Sequence, residues 1–506
     1  MAQTDILKTS RPNIVVFVLD ALRARNLGCY GSEEGLTPRI DELAANGILF
    51  ENAYCCWNTT DQSLTSIFTG MYPRSHGLVH HGDKVTSEDR LTFDTLRIPM
   101  LAEILKPLGY RTYAVDWMGR WFRKGFEFYG YDLEKSPLQK ITSILFARPY
   151  VHIKYVLSHI GLLGLYAKKR PASLPLLLKG LRDVWRTFRF SFELARVQDG
   201  QVVTGLAEKL IQRAGKKPFF LFLHYWDTHT PYNCPRKFVP RKKRRSSPKS
   251  ALVSRYHGAV RYVDHQVGRV IDTLREEGLL EKTLIILTSD HGESLTEHGI
   301  FFDHHGLYEA TTHVPLILHA PALFPDPRRI PSLVQHVDLL PTILDLLKAR
   351  TQDLAFDGAS LLPLVRGEAQ QIRDSVFVEE SYVQRKIGLR TEDRKFMMAP
   401  DGKGFCRYCQ TVHGGKEELY HLAEDPEERI NLALRDPLTV EKMRRMTERM
   451  AKALDEKRAQ RLAANSTMTP PPSLAEVREK EEKEEKRLRK KLASLGYTDG
   501  SSPDDT

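Results

Sequence analysis

The sequence is poor in cysteine and has no apolar run long enough to cross a membrane. Six cysteines in 506 residues exclude the disulfide-stapled folds of small secreted domains. The apolar stretch from Tyr155 to Ala167 contains His159 and is shorter than the ~20 residues that a membrane-spanning helix needs. No secretory signal pattern or internal repeat is visible either. We therefore expect a soluble, cytoplasmic protein.

Two of the cysteines, Cys406 and Cys409, form a lone CxxC pair. A structural zinc site of the knuckle type needs four ligands, and no second pair accompanies this one. We interpret the two residues as ordinary reduced cysteines in a turn.

Length and charge leave several classes of protein open. A chain of 506 residues with 41% hydrophobic residues can bury a large core, so global disorder is excluded. The net charge of +11 is compatible with an anionic substrate, a nucleic acid or an acidic membrane surface. The residues of the site must decide among these partners.

The first part of the chain, to about residue 370, alternates short apolar runs with segments of helical periodicity. This alternation predicts an α/β fold, with a large and mostly parallel sheet flanked by helices. Strands are predicted at residues 13–19, 111–115, 218–224, 283–288 and 314–319, and helices at residues 38–46, 60–68, 100–108, 260–274 and 338–347.

Composition divides the chain into three parts. Residues 1–375 form the predicted catalytic α/β domain, which contains a basic, leucine-rich insertion at 133–200. We interpret this insertion as a helical cap, with substrate recognition or contact with a membrane surface as the alternative. Residues 376–465 are predicted to form a smaller α+β subdomain, and 466–506 a linker and a charged helical tail.

Three predicted strands are followed by carboxylate or imidazole side chains. Asp20 follows the first strand, Asp227 and His229 follow the third, and Asp290 and His291 follow the fourth. In open α/β sheets, ligands bind beyond the carboxyl ends of the strands, so these side chains should converge in one crevice. Mixed oxygen and nitrogen ligands suit a divalent cation such as Zn, Mn, Mg or Ca. The sequence therefore predicts a metal site.

The candidate nucleophile lies where a loop enters a helix. Thr60 begins the helix predicted to extend to about Phe68, where unpaired amides and the helix dipole favour a bound anion. A threonine hydroxyl becomes a competent nucleophile when a divalent cation lowers its pKa. The alternative is that Thr60 only caps the helix, a position that favours Thr and Ser. Thr59 and Ser63 are the next candidates.

Ordered motifs over most of the chain resemble the sulfatase family of the alkaline-phosphatase superfamily. The segment NIVVFVLDALRARNLGCYG is similar to the family's opening strand and metal motif, and TPRIDELAANGILFENAY with SIFTGMYPRSHG is similar to the region around its nucleophile. LTSDHGESLTEHG resembles its second metal motif, and ELYHLAEDPEERINLA its C-terminal signature. The resemblance implies a sulfatase-type core, a smaller C-terminal domain and hydrolysis of sulfuric or phosphoric esters.

The sequence departs from the family's pattern at the nucleophile. Most sulfatases carry C/S-x-P-x-R, in which the Cys or Ser is converted to formylglycine, but the matching positions here are Thr60, Gln62 and Leu64. Threonine cannot become formylglycine. The usual Asp-Asp metal pair is also reduced to Asp20-Ala21. These departures are similar to the threonine-using phosphodiesterases and phosphotransferases of the wider superfamily.

Two further departures concern basic residues. The family's G-K-W-H segment corresponds to residues 119–122. Arg120 replaces the lysine and keeps its positive charge, and Phe122 replaces the histidine. His304 stands at the position where the family has a lysine, four residues before the Tyr of a Y-E pair.

The resemblance implies a role for each matching residue. Asp20, Thr60, Asp290 and His291 would bind one divalent ion, which is expected to be Zn, Mn or Ca. Arg120 would neutralise the nonbridging oxygens of the substrate.

The general acid and a second ion are open alternatives for the remaining residues. Either His229 or His304 would protonate the leaving group. Alternatively, Asp227, His229, His304 and His305 would bind a second ion and form a two-metal clamp.

The substrate follows from the nucleophile only in part. A formylglycine hydrate can release sulfate by elimination, whereas a threonine adduct must be attacked at sulfur or phosphorus. This favours phosphate or phosphonate esters, while the sequence as a whole resembles sulfatases, so both classes stay open. A small anionic ester is the expected partner and no nucleic acid is expected. Contact with acidic surfaces and the oligomeric state are left open.

Two other functions are compatible with the sequence. A phosphoryl-group transferase would replace water by an acceptor alcohol, and a degenerate binding module would keep the fold without the chemistry. Metal content together with turnover of simple esters separates the binding module from the enzymes.

Overall fold

The computed structural model describes residues 11–130, 199–240, 248–350, 354–407 and 411–466. The insertion predicted at 133–200 lies almost entirely outside these residues, as do Cys409, residues 241–247 and the predicted tail beyond residue 466.

Strands and helices alternate along the first part of the chain, and strands predominate in the second. In chain order, the strands are β1 (Asn13–Leu19), β2 (Ile48–Tyr54), β3 (Arg111–Val115), β4 (Phe128–Tyr129), β5 (Phe219–Tyr225), β6 (Thr283–Thr288), β7 (Ser294–Leu295), β8 (Phe301–Asp303), β9 (Leu316–His319), β10 (Arg328–Gln335), β11 (Val376–Glu380), β12 (Lys386–Arg390), β13 (Arg394–Met398), β14 (Phe405–Cys406), β15 (Thr411–Val412) and β16 (Glu417–His421). The α-helices are α1 (Pro38–Ala45), α2 (Thr60–Thr69), α3 (Pro73–His76), α4 (Ser87–Thr95), α5 (Leu101–Leu105), α6 (Gly200–Gln212), α7 (Pro248–Glu276), α8 (Glu309–Thr312), α9 (Leu339–Leu346), α10 (Leu362–Arg366) and α11 (Pro437–Ser466).

The large sheet has eight strands in the order β10-β2-β9-β6-β1-β5-β3-β4. Strand β1 lies at its centre and pairs in parallel with both β5 and β6. Every residue of these three strands is buried, because helices cover both faces of the sheet, as is usual for parallel sheets. The predicted α/β architecture and the positions of these strands are confirmed.

The edge of the sheet beyond β6 differs from a simple parallel arrangement. Strand β9 lies where a strand was predicted, but it is antiparallel to both of its neighbours, β2 and β6. Strands β2 and β10 were not predicted. Strand β10 contains Pro331 and a break in register between Ile330 and Leu333, and proline normally weakens a strand prediction because it is tolerated only at edges and bulges.

Two apolar layers enclose the sheet. One layer contains side chains of α2 and α9 against alternate residues of β1, such as Ile14 and Val16. The other contains α1, α6 and α7 against the opposite residues, such as Val15 and Phe17. Helix α7 is much longer than the predicted 260–274 segment, and α5 is shorter than predicted.

A second sheet follows in the chain, with the antiparallel order β11-β12-β13-β16. Helix α11 packs on it through residues such as Val440 and Leu454, which share a core with Phe377. Arg74 of α3 joins this sheet and α11 to the preceding α/β part of the chain, since its guanidinium contacts Glu379 at 2.6 Å and Asp455 at 2.8 Å.

Within the described ranges, no helix combines the length and the apolar character that a membrane span requires.

Candidate active site

Four adjacent parallel strands, β6, β1, β5 and β3, bring their carboxyl ends to the same edge of the sheet. Asp20 directly follows β1, His224 is the penultimate residue of β5, and Asp290 and His291 lie just beyond β6. All four side chains are fully buried. The topology therefore builds one cluster from residues that are far apart in the sequence.

The distances within this cluster are short. Asp20 Oδ2 lies 3.5 Å from His224 Nε2, and Asp20 Oδ1 lies 3.9 Å from His291 Nε2. Asp290 Oδ2 lies 3.4 Å from His291 Nε2. Ligand atoms of Asp20, His224 and Asp290 all fall within 4.8 Å of one another. A single divalent ion could bind these groups together.

Unpaired polar atoms give an independent test of whether a cation fits. Asp20 Oδ1, Asp290 Oδ2 and the Nε2 atoms of His224 and His291 are buried and have no hydrogen-bond partner among the described residues. Buried polar groups are normally paired, because leaving one unpaired costs about 1–3 kcal/mol. A cation among Asp20, His224 and Asp290 would give these residues a partner, and His291 Nε2 lies next to them, 3.4 Å from Asp290 Oδ2. Carboxylates combined with imidazoles suit Zn or Mn better than Ca.

Hydrogen bonds fix the orientation of His291. Its Nδ1 contacts the Gly292 carbonyl oxygen at 2.9 Å and can only donate there, so the lone pair of Nε2 faces the cluster. Burial lowers the pKa of His291 to about 4, so the ring is neutral and able to act as a metal ligand. Burial also raises the pKa of Asp290.

His224 was not recognised as a site residue from the sequence. Its Nδ1 lies 2.9 Å from Asp116 Oδ1, an arrangement that orients metal-binding histidines in many sites. Burial alone would lower the pKa of His224, but the neighbouring carboxylates of Asp116 and Asp20 outweigh it and raise that pKa to about 10. The available signal was a lone histidine at the end of an otherwise apolar strand, PFFLFLH.

Ala21 occupies the position at which the family has its second aspartate. Its backbone is left-handed, with φ of 57°, and its amide donates to Asp290 Oδ1 at 3.2 Å. His224 supplies a ligand atom to the cluster that the alanine cannot supply.

The structure places Thr60 beside this cluster. Helix α2 begins at Thr60, and Thr60 Oγ1 donates to Asp20 Oδ2 at 3.4 Å. The N-cap of the helix is Thr59, and no side chain caps the helix, so the alternative in which Thr60 is only a cap is wrong. The Thr59 hydroxyl instead contacts Gln62 Oε1 at 2.5 Å, and Ser63 Oγ donates to the Trp57 carbonyl at 2.6 Å.

Arg120 lies next to α2 but is engaged by a residue that the sequence did not indicate. Its guanidinium forms an ion pair with the buried carboxylate of Asp61 and contacts the Gly82 carbonyl at 3.3 Å. Asp61 also lies 3.1 Å from His81 Nδ1. Burial would raise the pKa of Asp61, but His81 and Arg120 lower it overall. These contacts hold the start of α2, whereas substrate binding by Arg120 stays a prediction.

His229 and His304 lie at the partly exposed rim of the site. The His304 ring stacks on His291, with centroids 4.3 Å apart, and lies 5.6 Å from the His229 ring. The Nδ1 atom of His304 contacts the Asn58 carbonyl at 2.6 Å, and that of His229 contacts the Thr230 carbonyl at 2.7 Å. Both rings can therefore direct Nε2 toward a bound ester.

The pKa values of the two rim histidines are shifted in opposite directions. Burial and the neighbouring His291 hold the pKa of His304 well below its ordinary value. Burial acts in the same direction on His229, but Asp20 and Glu293 outweigh it and raise the pKa of His229. His229 is therefore the better proton donor of the pair.

Glu293 supports the loop that carries His229 and was also missed. It is buried and accepts hydrogen bonds from Tyr232 Oη at 2.7 Å and Thr230 Oγ1 at 3.1 Å. Burial raises the pKa of Glu293 to about 8.

The set proposed for a second ion is not assembled. Asp227 faces the start of α6, where its Oδ1 accepts from the Gly200 amide at 3.1 Å. His305 points toward Asp303 and Cys406, away from the neighbouring histidines of the rim. Of the four predicted residues, only His229 and His304 lie close together. Asp227 and His305 contact other parts of the molecule because their side chains point away from the rim.

An open, mostly parallel sheet places buried carboxylates and imidazoles at its carboxyl edge, which is where ligands bind in sheets of this kind. Residues 12–349 match the family described as "Sulfatase", and residues 296–460 match "N-sulphoglucosamine sulphohydrolase, C-terminal". The chain belongs to the sulfatase family, whose named members are sulfuric ester hydrolases.

Curated relatives agree with this assignment. The arylsulfatase of Clostridium perfringens is 25% identical over 467 residues, covering 83% of this chain and 90% of the relative. Human arylsulfatase A is 27% identical over 458 residues, covering 83% of each chain.

Solved structures agree with the fold. The phosphonate monoester hydrolase of Agrobacterium radiobacter superposes with a TM-score of 0.59 at 19% identity, covering 89% of this chain and 96% of that chain. A relative solved in complex with its substrate D-glucosamine-2-N,6-O-disulfate gives a TM-score of 0.60 at 18% identity, covering 88% and 99%.

Proposed function

We propose that this chain is a metal-dependent ester hydrolase that cleaves sulfate or phosphate and phosphonate esters through a covalent intermediate on Thr60. The observation that carries the proposal is the contact of the Thr60 hydroxyl with Asp20, at 3.4 Å, beside buried ligand atoms that have no partner among the described residues. Membership of the sulfatase family supports the reaction class.

A divalent ion bound by Asp20, His224, Asp290 and His291 would supply Lewis-acid stabilisation of negative charge and favour the ionised form of the hydroxyl. Zn and Mn suit this donor set best.

The first half-reaction transfers the sulfuryl or phosphoryl group to the protein. Thr60 Oγ1 gives its proton to Asp20 Oδ2 and forms a bond to the sulfur or phosphorus atom, while the bond from that atom to the ester oxygen breaks. His229 donates a proton to the departing oxygen, so the alcohol leaves neutral.

The second half-reaction regenerates the protein. Water attacks the sulfur or phosphorus atom and gives a proton to His229, which had released one earlier. The bond to Thr60 Oγ1 breaks, the hydroxyl recovers its proton from Asp20, and sulfate, phosphate or the free phosphonate leaves, according to the ester. Attack must occur at sulfur or phosphorus because a threonine adduct cannot eliminate to an aldehyde.

The position of Thr60 at the start of α2 also helps to bind the anion. The first amides of a helix have no partner within the helix and attract negative charge. The ion pair between Asp61 and Arg120 holds this end of the helix in place, which keeps the hydroxyl oriented.

Turnover of a panel of p-nitrophenyl sulfate, phosphate, phosphodiester and phosphonate esters tests the proposal. The assays use Zn or Mn and compare the wild type with Thr60→Ala. We expect the alanine variant to lose at least about 10⁴-fold in kcat on the best substrate, since removal of a nucleophile costs on this scale. The panel also decides between sulfate and phosphate esters.

Thr59→Ala and Ser63→Ala are the matched controls, since they alter neighbouring hydroxyls that contact the protein rather than the cluster. Full activity in Thr60→Ala together with loss in either control would refute Thr60 as the nucleophile. Bound metal without turnover of any ester would favour a binding module.

A further inference from the structure

A second cluster of metal-competent side chains lies apart from the active-site cluster. It joins His305, in the loop after β8, to Cys406 of β14 and to His413, just after β15. The three side chains are buried, with exposures of 4%, 0% and 5%. One ligand atom from each lies within 4.8 Å of the other two. This arrangement spans more than a hundred residues of chain.

The Nδ1 atom of each imidazole contacts an oxygen atom outside the cluster, which orients the ring. His305 Nδ1 lies 3.2 Å from Asp303 Oδ1, and His305 Nε2 lies 3.6 Å from Cys406 Sγ. His413 Nδ1 contacts the His298 carbonyl at 3.1 Å and can only donate there. Both rings therefore direct Nε2 inward, toward the sulfur. The contact between His305 and Asp303 is of the type that orients zinc-binding histidines.

The Nε2 atom of His413 has no hydrogen-bond partner within the described part of the chain. A buried acceptor without a partner costs about 1–3 kcal/mol. A simple hydrogen bond between His305 and Cys406 leaves that cost in place, whereas a cation between the three side chains removes it. The two rings lie at a suitable separation, with centroids 5.4 Å apart.

The donor set identifies the kind of ion. One sulfur and two imidazole nitrogens suit Zn, and they disfavour Ca and Mg, which bind oxygen. A catalytic role for the thiol is excluded by its complete burial, because a nucleophilic cysteine must be reached by substrate. The active-site cluster has no sulfur ligand, so the two sites differ in chemistry.

We propose that His305, Cys406 and His413 bind a structural zinc ion, with the fourth position filled by water or by another donor. The ion would join the loop of residues 303–306, which carries His304, to the hairpin formed by β14 and β15. It would thereby fix one wall of the active site to the C-terminal part of the chain. The proposal does not depend on the identity of the nucleophile.

Metal analysis of the full-length chain tests the proposal. The Asp290→Ala variant, which weakens the active-site cluster, is stripped with a chelator and reloaded with zinc. We expect it to retain about one tightly bound zinc per chain, and we expect Cys406→Ser or His413→Gln, added to Asp290→Ala, to lose it. Cys234→Ser is the matched control, since it alters another buried cysteine and should leave the zinc in place.

Cobalt loading adds a readout that depends on the sulfur itself. Cobalt bound to a thiolate gives a near-ultraviolet charge-transfer band, which we expect in Asp290→Ala and in the Cys234→Ser control. Absence of zinc and of this band in Asp290→Ala would overturn the proposal, and so would their persistence in the Cys406→Ser variant.

A measurement on the unaltered chain tests the site without relying on the folding of any variant. Alkylation of Cys406, which requires local opening of the β14–β15 hairpin because the thiol is buried, is followed by mass spectrometry with zinc present and after chelation. We expect zinc to slow the modification of Cys406 by at least about tenfold, because a bound thiolate is masked, with little change at Cys234. Equal rates at Cys406 under both conditions would refute the site.

Discussion

The two clusters of this chain are built on different principles. The active-site cluster lies at the carboxyl ends of parallel strands and combines carboxylates with imidazoles, and its side chains face the rim histidines. The second cluster lies between a loop and a short hairpin and combines one sulfur with two imidazoles. We infer from this difference that the first cluster serves chemistry and the second serves stability, and four variants test this division.

The largest effect is expected from Asp290→Ala. This substitution removes a ligand from the active-site cluster, so we expect kcat/KM to fall by roughly 10⁴-fold or more, measured on the best p-nitrophenyl ester. The exposed Asp326 provides the control, because Asp326→Ala should retain turnover. Near wild-type turnover in Asp290→Ala would show that this cluster is not the catalytic one.

His229→Gln should have the next largest effect, and its size should depend on the leaving group. General acid catalysis contributes about 10²–10⁴-fold, but a good leaving group such as p-nitrophenolate needs little protonation. We expect a larger loss on phenyl or alkyl esters than on p-nitrophenyl esters, and a steeper dependence of rate on leaving-group pKa. An equal loss on every ester would assign His229 to binding instead, and His304→Gln would then be tested in the same assay.

Asp116→Asn should act on metal affinity rather than directly on the chemistry. Asp116 contacts His224 Nδ1, and loss of such a supporting carboxylate typically costs about 10–100-fold in metal affinity or activity. We expect turnover to fall at low metal concentration and to recover largely when metal is added in excess. Glu127→Gln, which alters an ion pair with Arg111 at the opposite end of β3, should leave the metal titration unchanged. An identical titration in Asp116→Asn would exclude His224 as a supported ligand.

The smallest effect on turnover is expected from His413→Gln. Because the second cluster is proposed to be structural, we expect a fall of several degrees in Tm with kcat close to that of the wild type when measured well below the transition. Calorimetry with and without zinc measures this difference. A loss of kcat comparable to that of Asp290→Ala, with Tm unchanged, would reverse the proposed division between the clusters.

The sequence alone located much of the first cluster. Asp20 and Asp290 follow continuous apolar strands, and parallel strands of this kind converge at their carboxyl ends. Thr60 was found because it marks the entry to a helix beside a motif that resembles the sulfatase family. Strands β2 and β10 were missed, because β10 contains Pro331 and β2 interrupts its apolar run with polar residues.

Two parts of the active site depended on side-chain directions that a linear sequence does not contain. His224 was hidden inside a buried strand, and only the pairing of β5 with β1 shows that its ring faces Asp20. The prediction that Arg120 contacts substrate could not anticipate Asp61, because the ion pair depends on how two loops meet.

The sequence by itself determined the family, the alternating architecture and the order in which acidic residues follow the strands, because those features depend on local periodicity and spacing. Only the tertiary structure decided which histidines serve which cluster. His304 and His305 are adjacent in the sequence, yet one stacks on His291 and the other contacts Cys406. Successive side chains of a strand point in opposite directions, and these two residues directly follow β8, so neighbouring residues can serve different sites.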